Sequence, residues 1–517
     1  MSFTDVTETA AGAMQRASAY VNDLMTPSLR LGVTGLARAG KTVFITALVH
    51  NLMVGGRLRF LKAAEDRRIT RVYLEPQPDD TVPRFAYEDH LAALTAGETR
   101  RWPESTRAIA QLRLTVEYEP LGWLGLLDPG RLHIDIIDYP GEWLLDLPML
   151  SLSFEAWSRQ QWAQIESAEG QAARTFTSFV REALADDAMG DDEQRAIEGA
   201  RAFTAYLAEA RAADHALSLV GPGRFLMPGD LEGSPLLTFF PLPPARNLTS
   251  QTLGDVGATS PRSASASPSA SDGLAALLAR RYASYKTHVV QPFYRDHFAK
   301  LDRQIVLVDA LSALNAGPQA MADLSTSLGA ILESFKPGAR TLLSSILFRR
   351  IDRLLFAATK ADHLHHTSHD RLRGMLRVLT DTAIGRATFA GAEVEVMALA
   401  ALRATQEVDM RQSGEVLPCI KGVPLAGERL AEQQFDGATA VAVFPGDLPT
   451  DAAALIKQGR EPASDPMERD VRVIRFRPPV LSAPRDAKGV PRPGQPLVLP
   501  HIKLDHALEF LIGDRLR

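Results

Sequence analysis

Apolar and polar side chains alternate at period two in Leu29-Arg-Leu31-Gly-Val33, the mark of a strand. From Thr42 onward the spacing changes. Phe44, Ile45, Leu48, Val49 and Leu52 recur at three and four, which predicts a helix that Gly55-Gly56 stops. Residues 112–118 and 132–138 alternate again and predict two strands with one buried face each. Gly122, Gly125, Pro129 and Gly130 lie between them, so an antiparallel pair is expected. The same connector carries Trp123, Leu124, Leu126 and Leu127, which either fold inward or offer an apolar contact to a partner. Buried-strand signals at 305–308 and 354–357, and a third at Val394-Glu-Val396-Met-Ala-Leu399, are separated by helix-length stretches. That pattern predicts a largely parallel sheet covered on both faces.

Elsewhere the texture is different. Phe203, Tyr206 and Leu207, like Leu274, Leu277 and Leu278, keep helical spacing, so 151–300 reads as a mostly helical insertion. A stretch at about 246–272 rich in Ser, Ala and Pro interrupts it and reads as a flexible loop, too poor in apolar surface to offset its ordering entropy. Residues 5–25 predict a short helix ending before Pro27. Beyond about 405, Pro and Gly are frequent and strand candidates are short, at 440–444 and 471–476, as in an extension that wraps a main domain. The expected division is an N-terminal helix at 1–27, a core in two parts at 28–150 and 301–405, the insertion at 151–300, and the extension at 406–517.

Composition narrows the classes. A chain of 517 residues exceeds one small core. Its formal net charge of −5 gives no bulk basic surface for nucleic acid. One cysteine, Cys419, excludes an internal disulfide and fits a reducing compartment. No signal peptide is legible in 1–27, and no apolar run approaches the roughly 18 residues needed to span a bilayer. A cytoplasmic protein, at most peripheral to the inner membrane, is the expectation.

The chemistry concentrates at strand ends. Gly35-Leu36-Ala37-Arg38-Ala39-Gly40-Lys41-Thr42 stands between the first strand and the first helix, the context a phosphate-binding P-loop requires. Its glycines let consecutive N–H groups turn inward toward phosphate oxygens, and the helix opening at Val43 adds its dipole. Lys41 supplies a positive charge for the β- and γ-phosphates, and the Thr42 hydroxyl a ligand for Mg²⁺. Asp138-Tyr-Pro-Gly141 ends a strand and matches a DxxG element, with Asp138 holding a water on Mg²⁺ and Gly141 N–H meeting the γ-phosphate. Thr359-Lys360-Ala-Asp362 follows a buried strand and matches an NKxD element with Thr in first place. There Asp362 would accept from guanine N1 and its amine while the Lys360 stem lies over the base. Adenine offers an acceptor at N1, so this aspartate favours GTP.

Further positions complete the expected site. Thr106 is chosen over Ser105 and Thr99 as the Mg²⁺-reaching threonine upstream of the 112–118 strand. Ala401 and Leu402 sit where a second base-contacting loop would use main chain. Glu142 occupies the place of a water-orienting glutamine, and its charge would repel the γ-phosphate unless neutralised, which predicts slow intrinsic hydrolysis or a different water-positioning group. Arg100 and Arg101 are either an arginine finger supplied in cis or a solvated pair. The apolar turn Trp143-Leu-Leu-Asp-Leu147 reads as a partner-facing surface. His363, His365 and His366 read as solvated, since a metal would need a further ligand that the sequence does not identify.

The P-loop, Asp138-Tyr-Pro-Gly-Glu-Trp-Leu, Pro222-Gly-Arg-Phe-Leu-Met-Pro-Gly-Asp230 and the segment at 500–509 together resemble the YcjX family of bacterial P-loop GTPases over essentially the whole chain. The resemblance implies an α/β fold: a Ras-like P-loop NTPase core with a mostly parallel sheet, a helical insertion domain and a C-terminal extension. It also implies a stress-linked GTPase using GTP/GDP and Mg²⁺ and associated with a membrane protein. Two other classes remain open at this stage, a nucleotide-binding scaffold that scarcely hydrolyses and docks a membrane partner, and an ATPase or P-loop kinase.

Overall fold

A computed structural model describes residues 26–35, 38–104, 108–122, 130–168, 170–185, 191–212, 221–244, 270–333, 351–389, 391–412, 414–430, 432–459, 472–481 and 497–517. The expected helix at 5–25, the apolar connector at 123–127 and most of the serine-rich stretch lie outside these residues.

The central sheet has seven strands: β1 (Ser28–Gly35), β2 (Ile69–Glu75), β3 (Ala110–Tyr118), β4 (Gly130–Asp138), β5 (Arg303–Val308), β6 (Arg353–Ala358) and β7 (Glu393–Ala398). Their order is β2-β3-β4-β1-β5-β6-β7. Strands β4, β1, β5, β6 and β7 run parallel, and β2 and β3 are antiparallel additions at one edge. Among the parallel strands, β5 and β6 carry the apolar runs and are buried on both faces, while edge strand β7 leaves Glu393 and Glu395 exposed. In β5 the alternation sorts the core: Ile305 and Leu307 pack on one face, Val306 and Val308 on the other. Helix α1 (Lys41–Met53) lies on the first face, with Phe44, Ile45, Leu48 and Leu52 in the same cluster as Ile305.

The β3–β4 hairpin departs from the expected single buried face. Residues Gln111 to Val116 and Leu132 to Asp138 are all buried. Its polar face is closed by its own cross-strand partners, because Arg113 and Asp135 stand opposite each other and form a buried bidentate pair at 2.7 and 3.0 Å. Alternation reports side-chain polarity, and polar residues that satisfy one another are buried as readily as apolar ones. Edge strand β2 has no counterpart in the sequence reading, since it is half exposed and mixes Thr, Arg and Glu among its apolar residues.

Between β4 and β5 the chain is mostly helical: α2 (Phe154–Ser167), α3 (Gln171–Ala185), α4 (Asp192–Ala212) and α5 (Ala270–Tyr285). These helices bury a second cluster rich in aromatic rings, including Trp157, Phe176, Phe203, Phe239 and Tyr282. After β7, β8 (Gln406–Gln412) and β9 (Glu415–Gly422) form an antiparallel hairpin, joined by a third strand at Val441–Val443. The other strand candidate, 471–476, forms no strand among its described residues. Only Phe476 bridges, to Pro424, while Phe476 packs its ring into a small cluster with Ile420.

Residues 497–517 return to the first core. Helix α6 (Leu504–Ile512) buries Leu504, Leu508 and Leu511 in the cluster that holds α1. The Asn51 amide donates to Leu499 O at 3.0 Å and accepts from Leu499 N at 3.2 Å. At the start of β5 the fully buried Arg303 meets Asp352, Asp514 and Leu511 O. Among the described residues, no helix is long and apolar enough to cross a membrane.

Candidate functional site

Register places the chemistry at one edge of the sheet. Gly35 is level with Leu307, and Val308 with Ala358 and, through it, Ala398. The residues that follow these carboxyl ends therefore meet over the sheet, where open α/β sheets bind ligands.

Gly35 and Gly40 have distinct reasons to be glycine. A Cβ on Gly35 would lie 2.7 Å from Leu307 O, and Gly40 has φ +85°, a left-handed conformation just before α1. Arg38 is also left-handed at φ 63°. Lys41 and Thr42 are buried, and Ala39 is buried beside them. Lys41 Nζ donates to Gly35 O at 3.2 Å, folding the lysine back across the turn. The Thr42 hydroxyl donates to Glu104 O at 3.4 Å. That contact brings the segment leading to Thr106 onto the start of α1. Leu36, Ala37 and Thr106 themselves lie outside the described residues.

Asp138 closes β4, fully buried and in register with Val33 of β1. Tyr139 behind it is also fully buried, its hydroxyl accepting from Gln304 Nε2 at 3.0 Å. From Gly141 to Ser151 the backbone winds as a 3₁₀ helix. Here the structure corrects the expected partner surface: Trp143, Leu144 and Leu147 are buried in the aromatic core of the helical region. They already have an apolar partner within the chain. Arg224 lies over the Trp143 ring at 3.2 Å and donates to Asp230 at 2.9 Å, and Trp143 Nε1 donates to Met227 O at 3.2 Å. Asp146 accepts from Gly223 N and from the Tyr285 hydroxyl, each at 2.6 Å. Burial raises its carboxyl to about 6 even against those two hydrogen bonds and Arg224. Glu142 is buried under Gly223.

At the end of β6, Thr359 N donates to Val308 O at 2.9 Å, and the Thr359 hydroxyl to the same oxygen at 3.4 Å. Lys360 is left-handed at φ 59°, and its ammonium pairs with Asp309. Burial pushes the Asp309 carboxyl up, but Lys360 and Ser312 outweigh it and hold it below the usual range. Asp362 is buried, and its Oδ2 accepts from Ala404 N at 2.8 Å. The Thr405 hydroxyl donates to Asp362 O. The loop after β7 thus grips the TKAD turn through Ala404 and Thr405. Ala401 is half-buried, and the Leu402 side chain turns into the core.

A family model described as "YcjX-like family, DUF463" matches residues 29–516. The chain belongs to the YcjX-like family. Two curated relatives carry the name "Ras-like GTPase YcjX". The one from Escherichia coli (strain K12) is 37% identical over 508 residues, 97% of this chain and 98% of its own length. The one from Shewanella oneidensis is 36% identical over 512 residues, 94% of each chain.

In this YcjX-like chain the two candidate arginines differ. Arg100 is buried, with Nε donating to Pro478 O at 2.6 Å and Nη1 to Gly97 O at 2.9 Å. Arg101 is exposed. Two positions escaped the sequence reading. Asp309 shows only as an acid following an apolar strand, and Ala404 acts through its backbone N–H, which any residue but proline carries.

Proposed function

We propose that this YcjX-like chain is a GTP-binding, Mg²⁺-dependent GTP-hydrolysing switch. The carrying observation is the common edge: the Gly35–Val43 turn, Asp138–Gly141 and Thr359–Asp362 follow β1, β4 and β6 at one end of the parallel sheet. In this reading Gly35 to Val43 cradle the phosphates, and Lys41 swings from Gly35 O to the β- and γ-phosphates. Asp362 keeps Oδ2 on Ala404 N and offers its other oxygen to the guanine N1 and amine, while Lys360 is held beside the base by Asp309. Ala401 and Leu402 contribute main chain.

Thr42, Thr106 and Asp138 would hold Mg²⁺. The fit is chemical: the buried Asp138 carboxylate at the end of β4 and the buried Thr42 hydroxyl in the first turn of α1 are hard oxygen donors. Such an ion neutralises charge on the β- and γ-phosphates. Glu142 is the candidate for positioning water, and Arg101, with its exposed guanidinium, is the better placed finger candidate than Arg100.

The domain reading is a Ras-like core in two parts, 28–150 and 301–405, with 151–300 inserted and 406–517 as an extension. The stress-linked role and a membrane-protein partner rest on the family resemblance. Relatives named Ras-like GTPase support the nucleotide class. Competition of GTP and ATP for a fluorescent nucleotide tests it: GTP should win, and Asp362→Asn should erase the preference. Preference for ATP in the unaltered chain defeats the proposal.

A further inference from the structure

Three histidines follow the TKAD turn, and the fold separates them. His363 is buried edge-on against Phe476. His365 and His366 instead meet β8, which delivers the carboxylates that their own segment lacks. His366 Nδ1 lies 2.7 Å from Glu407 Oε2, and His365 Nε2 lies 3.9 Å from that same oxygen and 3.8 Å from Asp409 Oδ1. Glu407 and Asp409 are two apart on one strand and so share a face.

We propose that His365, His366 and Glu407, with Asp409 as a fourth donor, form a site for a divalent transition ion of the Zn²⁺ or Co²⁺ class. The site is separate from any Mg²⁺ at the nucleotide edge and does not depend on the nucleotide reading. The ligand atoms of His365, His366 and Glu407 all lie within 4.8 Å of one another. Bonds of about 2.0–2.2 Å to imidazole and carboxylate set neighbouring tetrahedral ligands roughly 3.3 Å apart. His366 and Glu407 stand closer than this, and His365 slightly farther from both carboxylates. Small side-chain rotations therefore bring His365, His366 and Glu407 onto one ion, and Asp409 stands beside them, 3.8 Å from His365 Nε2.

Two surrounding contacts fit ligation. His365 Nδ1 is 3.1 Å from the Thr367 hydroxyl, and in the tautomer that donates Nδ1–H to it Nε2 carries the lone pair for an ion. Arg403 lies 3.5 Å from Glu407 Oε1, leaving Oε2 to face both histidines. Two imidazoles with carboxylates select Zn²⁺-like ions over Mg²⁺, which prefers an all-oxygen octahedron. A bound ion would tie the turn after Asp362 to β8.

The test uses the full chain without an affinity tag, stripped by chelator and nucleotide-free, titrated with Co²⁺ in excess Mg²⁺. We expect one stoichiometric equivalent with visible d–d absorption, displaced by Zn²⁺. His366→Ala, which removes an exposed side chain, and Glu407→Gln, which keeps volume, should each weaken binding about 100-fold while circular dichroism stays unchanged. Thr367→Val should weaken it about tenfold. Absence of a stoichiometric equivalent in the unaltered chain overturns the proposal and leaves only a His366–Glu407 ion pair. Binding that is unchanged in both ligand variants overturns it equally.

Discussion

Gly223 stands directly over the carbonyl of Glu142: a Cβ on Gly223 would lie 1.9 Å from that oxygen and 2.4 Å from its carbon. Backbone packs on backbone here, between the turn that follows Asp138 and the helical region. Gly223→Ala must push the two apart. The expected cost is about 3 kcal/mol of stability, together with slower GTP turnover as Glu142 shifts. Urea unfolding and single-turnover phosphate release measure the two effects. A variant as stable and as active as the parent would show that the contact constrains nothing.

Asp146 gives a pH signature. Burial, the main cause, pushes its folded carboxyl up to about 6, above the roughly 3.9 of an exposed aspartate. The folded state therefore binds this proton more tightly than the unfolded chain. Its contribution is greatest below about pH 4 and is lost as pH rises to about 6, a swing of about 3 kcal/mol. Asp146→Asn stays neutral throughout. Unfolding free energies of parent minus variant should fall across that window and level off above it. A flat difference contradicts the burial of an ionisable Asp146.

Asp309 should matter through Lys360. Asp309→Asn keeps an oxygen to cap Ser312 N, now at 3.1 Å, but removes the charge that pairs with Lys360. GTP affinity is expected to drop about tenfold, or 1.4 kcal/mol, with little change in melting temperature. Fluorescent-nucleotide titration reads the first and calorimetry the second. Unchanged affinity would mean that Lys360 does not need its anchor.

Arg100 and Arg101 should separate cleanly. Arg100→Ala removes the donor to Pro478 O, while Gly97 O keeps the Arg100 backbone N–H at 3.4 Å, and should cost about 1–3 kcal/mol of stability, with turnover per folded molecule retained. Arg101→Ala should leave stability alone and slow single-turnover hydrolysis by at least about 100-fold. Equal effects of the two on hydrolysis would remove Arg101 as the finger candidate.

Strands β5 and β6 were the most legible part of the fold, because parallel strands buried on both faces are written as unbroken apolar runs such as Ile305-Val-Leu-Val308. Edge strand β2 was not legible, since a half-solvated strand needs no such run. At the site, Lys41, Asp138 and Asp362 stood out because their motifs require particular side chains at fixed spacing. Ala404 could not, for it serves through its amide. Trp143 and Leu147 were read correctly as apolar, but sequence does not say whether apolar residues meet a partner or their own chain. Likewise the histidines' missing ligands lay about forty residues away on β8, a proximity that only the fold supplies.

The Asn51–Leu499 pair joins residues separated by 448 positions. Its consequence is kinetic. The face of α1 that receives residues 497–516 stays bare until a very large loop has closed, an entropic step that local contacts cannot replace. Refolding of this chain should therefore pass through a collapsed species with the apolar side of α1 open to solvent, vulnerable to self-association at high concentration. Residues 497–516 act as the seal on the helix into which the first motif leads.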